Sequence, residues 1–167
     1  MDLTKLFELQ KALDDRIIDE KGLEGQDLYR MKVMALQVEL SELAQEIGDV
    51  WKFWKEPKER NRERVREELV DCLHFLLSLG IDARVDPSIP RLASIKLNLF
   101  EHKLNLFEQL EACFRDFRVA YVGIQWEMAF WHFLGLVDLL GFKWSEVEAE
   151  YLRKNGINHQ RLARREG

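Results

Sequence analysis

The chain predicts an all-α fold, a bundle of about five to six helices, from three observations. Apolar residues recur at steps of three and four almost throughout. No alternating run of β-branched residues is long enough for a strand, and glycines, prolines and charged stretches interrupt the pattern at helix-length intervals. A first helix is expected over about residues 2–19, closed by the Gly22 and Gly25 loop, and a second from after Asp27 to near Gly48. The aromatic stretch Trp51-Lys52-Phe53-Trp54, then Pro57 and charged residues up to Arg66, reads as a loop. The third helix takes Arg62 to Leu79 and is expected to stop at Gly80, with Pro87 and Pro90 marking the next turn. A fourth is expected from about Leu92 to Phe117 and a fifth from Tyr121 to Leu140. The last begins after Trp144, with Ser145 as its N-cap.

Composition bounds the rest. The chain has 167 residues, 47% hydrophobic and 33% charged, enough to bury one core, so residues 1–167 are expected to form a single domain. A net charge of −5 leaves no broad electropositive field for a nucleic-acid partner, so a phosphate ligand has to be held locally. Cys72 and Cys113 lie far apart inside apolar helical patterns and read as buried free thiols of a reducing, cytoplasmic compartment. The opening MDLTKLFELQ is not a signal peptide in pattern. The apolar stretch Tyr121 to Phe142 is broken by Gln125, Glu127, His132 and Asp138. Each central acid costs about 2.5–3.5 kcal/mol in a bilayer, so a buried helix is expected and no membrane association.

Helical faces predict the packing. Met31, Met34 and Val38 on the second helix, with Leu69, Cys72, Leu73, Leu76 and Leu77 on the third, are expected to pack helix on helix. Trp126, Phe130, Trp131 and Phe133 make the fifth helix apolar nearly all round, which calls for a central position or a partner subunit; a homodimer is expected.

Two acidic pairs carry the chemistry. Glu39 with Glu42, and Glu68 with Asp71, each have the three-residue step that puts both carboxylates on one side of a helix, and the two helices can pack antiparallel. Four gathered carboxylates need protons or cations, and all-oxygen ligation selects Mg²⁺ or a similar hard metal, which points to a metal-dependent phosphate enzyme. Other acids, including Glu59, Glu63, Glu101, Glu108 and Glu111, read as solvated faces. The two pairs differ in lying beside core positions, Val38, Leu40 and Leu43 in one case and Leu69, Val70, Cys72 and Leu73 in the other, where a carboxylate without a partner costs free energy.

An E-x-x-E pair followed after a loop by E-x-x-D resembles the signature of the all-α nucleoside triphosphate pyrophosphohydrolases. LFELQKALDDRI, VELSELAQEI, WKFWK, EELVDCLHFLLSLGI and YLRKNGINHQR together resemble the dimeric dUTPases over nearly the whole chain. The resemblance implies that Glu39, Glu42, Glu68 and Asp71 bind two or three Mg²⁺ ions, and that Glu39 or Glu42 orients or deprotonates the attacking water. It implies conversion of dUTP, and of dUDP, to dUMP. Lys154 and Arg161 can bind phosphate oxygens, and Asn155 and Asn158 offer amides; the alternative for this segment is an ordinary solvated C-terminal helix. Lys52 is placed at phosphate by the resemblance, with Trp51, Phe53 and Trp54 closing over the site or merely packing. Gln10, Asn158 and His74 are placed near the base, and Phe75 against deoxyribose, a plain core role being the alternative for His74 and Phe75.

Two positions depart from the family pattern: Leu162 follows Arg161 where Gln is common, and Asp14 stands where many members have Asn. Both bear on uracil recognition and neither on the metal set. The competing readings are a related pyrophosphohydrolase acting on dCTP or a modified deoxynucleotide, and a non-enzymatic helical dimer whose acids are surface charges. A carboxylate-bridged di-iron bundle is disfavoured because Asp71 with His74 is the one pair comparable to its two E-x-x-H sets.

Overall fold

The computed structural model describes residues 2–88 and 104–163, and these are helical without a strand. Six α-helices follow in order: α1 Thr4–Lys21, α2 Tyr29–Glu46, α3 Arg62–Asp82, α4 Leu106–Phe117, α5 Gly123–Leu139 and α6 Trp144–Ala163, with a short 3₁₀ turn at Gly48–Val50 after α2. The part of the expected fourth helix before residue 104, and Pro90, lie outside the described residues.

Local signals account for several helix ends. Gly22 adopts a left-handed backbone (φ 63°) that closes α1, and its N–H and that of Leu23 bond to the carbonyls of Asp19 and Ile18. Asn61 caps α3 by accepting from the Glu63 and Arg64 amides, and Asn105 and Glu108 form a reciprocal capping box on α4. The last helix differs from expectation: it begins at Trp144, so Ser145 lies inside it, and Glu146 accepts from the Lys143 amide at 2.8 Å. Glu108 is likewise a capping residue rather than only a solvated acid.

α3 is the centre of the bundle. It packs most extensively on α2 and also contacts α1, α5 and α6, while α4 and α5 form a hairpin that covers α2 and α3. Leu69, Cys72, Leu73, Leu76 and Leu77 are fully buried, as their spacing requires. Cys72 and Cys113 are buried free thiols, both pushed up by burial. α3 also runs through Gly80 to Asp82 instead of stopping there. A Cβ on Gly80 would lie 2.8 Å from the Phe7 ring and from the Trp126 indole, so this glycine admits close packing of α1 and α5.

The apolar α5 takes the central position open to it. Trp126, Phe130 and Phe133 are fully buried, Trp126 stacks on Phe130 at 4.9 Å, and its indole N–H donates to the Leu76 carbonyl at 2.6 Å. The expected α2 contribution is corrected: Met31, Met34 and Val38 are exposed at 61%, 66% and 47%, and Leu36, Leu40 and Leu43 face α3 in their place. Among the described residues no helix is long and apolar enough to cross a membrane.

Candidate active site

Glu39 and Glu42 stand one turn apart on α2, and Glu68 and Asp71 one turn apart on α3. Their register is fixed by fully buried neighbours, Leu36, Leu40 and Leu43 on one helix and Leu69, Cys72 and Leu73 on the other, which seat both acidic edges at the same seam. Carboxylate oxygens of Glu39, Glu42 and Glu68 all come within 4.8 Å of one another. Glu68 is buried at 3% exposure, Glu39 is half-buried and Glu42 exposed, so the cluster opens from a dry wall toward solvent.

Such crowding resists ionisation. Burial, then the charges of Asp71, Glu42 and Glu68, push Glu39 up to about 7, with Lys154 pulling the other way. Glu68 is raised by burial and by Asp71, offset in part by Arg64, whose guanidinium pairs with it at 2.8 Å. Asp71 is also raised by burial, against the lowering effect of Lys154, which donates to its carboxylate and to the Glu67 carbonyl. Asp71 thus adjoins the three-glutamate cluster while its carboxylate is held by Lys154. The donor set is all oxygen and net negative, which fits a hard divalent cation.

Beside this cluster lies a polar relay drawn from α1, α3 and α6. Gln10 Oε1 is 2.8 Å from His74 Nδ1 and accepts from the Tyr151 hydroxyl at 3.0 Å. Gln10 Nε2 donates to Asp14 at 2.7 Å, and Asp14 also accepts from the Ser78 hydroxyl at 2.5 Å and lies 3.8 Å from the Lys32 ammonium. The His74 and Tyr151 rings lie 4.4 Å apart, tilted. Burial lowers His74 to about 4, helped by Lys154, so its imidazole is neutral at pH 7. Its Nε2 has no hydrogen-bond partner, and burial, then the charge of Asp14, push the neighbouring Tyr151 hydroxyl up, with the Asn155 side chain drawing it partly back.

The other residues singled out by sequence are distributed more widely. Lys154 is at the cluster, whereas Lys52 folds across Gly48 to donate to Gln45 at 2.6 Å. Phe75 is half-buried against the core; Asn158 is half-buried and Arg161 exposed on the following turns of α6. Trp51 anchors its loop by donating to the Ala44 carbonyl at 2.7 Å, while Phe53 and Trp54 are exposed. Tyr151, Ser78 and Arg64 are the site residues that sequence reasoning passed over. Arg64 was visible as the i, i+4 partner of Glu68, and Tyr151 as the residue one turn before both Lys154 and Asn155.

An all-helical bundle with an acidic cluster on the seam of α2 and α3 fits the class of all-α nucleoside triphosphate pyrophosphohydrolases. A family model described as dUTPase matches residues 2–165, and the chain belongs to this dimeric all-α dUTPase family, whose members are hydrolases with dUTP diphosphatase activity. No curated protein matches the chain in sequence.

Proposed function

We propose that this chain is a Mg²⁺-dependent enzyme that converts dUTP and dUDP to dUMP, acting as a cytoplasmic homodimer of a single-domain subunit. The observation that carries the reading is the approach of the Glu39, Glu42 and Glu68 oxygens to within 4.8 Å, with Glu39 pushed up to about 7 in the absence of a cation. Glu39, Glu42 and Glu68 would hold Mg²⁺, joined by Asp71 once Lys154 leaves it. When bound, the metal neutralises polyphosphate charge, polarises the attacked phosphorus and acidifies a bound water.

The chain's own residues do the remainder. A glutamate of the first pair, Glu39 or Glu42, accepts the water proton as the water oxygen bonds to phosphorus and the anhydride P–O bond breaks; Glu39 is the more buried of the two. Attack at the β-phosphorus makes dUMP the leaving group from either substrate, which is why dUDP is included. Lys154, on leaving Asp71, is available to a phosphate oxygen; Lys52 and Arg161 would serve phosphate only by moving toward it, Lys52 by releasing Gln45. Gln10, His74, Asn155 and Asn158 serve the base, and Phe75 the deoxyribose.

The test is product release from dUTP, dUDP, dCTP, dTTP and UTP with Mg²⁺, each repeated with excess EDTA. Turnover of dUTP and dUDP alone, abolished by EDTA, is the expected result. Turnover insensitive to EDTA overturns the metal site, and equal turnover of dCTP overturns the base assignment.

A further inference from the structure

The polar relay does more than fill space between three helices. Gln10 has one acceptor and one two-proton donor, and which end faces His74 is decided at the far side by Asp14. A carboxylate cannot donate, and this one is already served by Ser78 at 2.5 Å with Lys32 nearby at 3.8 Å, so only the Gln10 amide N–H₂ can face it. Gln10 Oε1 is therefore turned to His74 and Tyr151. An acceptor 2.8 Å from Nδ1 requires the proton on that nitrogen. What remains is His74 Nε2, a lone pair buried with no partner, beside the Tyr151 ring.

We propose that Asp14 is a positioning residue that locks His74 in its Nδ1–H tautomer, so that Nε2 is presented as an acceptor for the N3–H of a uracil ring. The recognition half of this rests on the deoxyuridine reading above; the lock does not. A uracil N3 carries a proton and completes the relay, whereas a cytosine N3 carries a lone pair and meets Nε2 with repulsion. The same logic gives no discrimination against thymine, whose N3 is also protonated. With Asn at position 14 the side chain can donate or accept, both orientations of Gln10 become available, and the tautomer is released.

The experiment is ¹H–¹⁵N long-range correlation of the full-length protein without nucleotide at pH 7, with the His74 signals assigned by loss in His74→Asn, alongside turnover measurements. Wild type is expected to show His74 in the Nδ1–H form alone, and Asp14→Asn a mixture of tautomers. The preference for dUTP over dCTP in kcat/KM should fall by roughly tenfold in Asp14→Asn, the worth of one buried hydrogen bond, with dUTP over dTTP unchanged. If Asp14→Asn does not fold, Gln10→Met removes the acceptor facing Nδ1 and should move the proton to Nε2. A wild-type His74 found in the Nε2–H or charged form, or a tautomer indifferent to these substitutions, overturns the proposal. A tautomer that responds as expected in a protein inactive on dUTP supports the lock and overturns the deoxyuridine reading instead.

Discussion

Glu39 and His74 pull the stability of the chain in opposite directions with pH. Glu39 rises from 4.5 to about 7 on folding, so the folded chain holds this proton more tightly than the unfolded one. Its contribution is full below about 4.5 and is lost as pH rises through 7. His74 falls from 6.5 to about 4, so folding disfavours its protonation and its contribution is present above 6.5 and lost as pH falls toward 4. Between about pH 4.5 and 6.5 the two contributions therefore offset each other, and the protein without cation should lose stability from these two groups only outside that interval, below it through His74 and above it through Glu39. Glu39→Gln should remove part of the alkaline loss, raising Tm at pH 8 more than at pH 5, and should also cut the Tm gain from Mg²⁺. In the wild type, Mg²⁺ at a hundred times its Kd should add about 2.7 kcal/mol. Thermal melts across pH with and without Mg²⁺ check both, and a Mg²⁺ gain undiminished in Glu39→Gln would remove that residue from the metal set. His74→Asn should leave the Glu39 contribution unopposed, so that stability rises as pH falls from 6.5 toward 4.5, the removed His74 shift corresponding to on the order of 3 kcal/mol; a pH profile unchanged from wild type would show that His74 is not the buried neutral base described.

Among the helices, α3 carries the greatest packing demand, and Gly80 marks it. Alanine there gains up to about 1 kcal/mol in helix propensity, yet its Cβ must enter space 2.8 Å from the Phe7 ring and the Trp126 indole, both buried. Overpacking of about 1–3 kcal/mol should win, seen as a lower urea midpoint at unchanged slope; a midpoint at or above wild type would mean the two rings yield freely. This glycine also shows where sequence reading stops. Read locally, Gly80 is a helix terminator, and only the rings brought by α1 and α5 reveal it as a packing residue. Legibility follows contact range elsewhere too. The E-x-x-E and E-x-x-D pairs were readable because the two members of each pair lie within one turn on the same helix, whereas the Asn61 cap of α3 was not picked out. Met31, Met34 and Val38 were correctly seen as an apolar stripe, but periodicity shows that a face is apolar without showing what covers it. The relay joining Gln10, Asp14, His74, Ser78 and Tyr151 was the least readable part, since it exists only where three helices meet. Gln10 and His74 were picked out, while Asp14 drew notice only as a departure from the family pattern.

At the scale of the molecule, the apolar stripe on α2 is the argument for the proposed homodimer. α5 no longer provides one, because its aromatic residues are covered within the subunit. Met31, Met34 and Val38 step by three and four along α2, so they line one face, and all three are exposed in the single chain. Glu42 lies one turn on from Val38 on the same side of α2, which places this face next to the acidic cluster. A second copy packing here would bury the stripe and stiffen the helix that carries two of the carboxylates. A stable interface needs about 1,200–2,000 Å² in total, more than three side chains supply, so neighbouring α2 residues must join it. Met34→Asp together with Val38→Asp puts two like charges into that face, at exposed positions where the subunit's own core is untouched. The double variant is expected to run as a monomer by light scattering at micromolar concentration, with its helix content retained, where the wild type runs at twice the subunit mass. A wild-type mass of one subunit refutes the homodimer, and a dimer that survives both substitutions moves the interface away from α2.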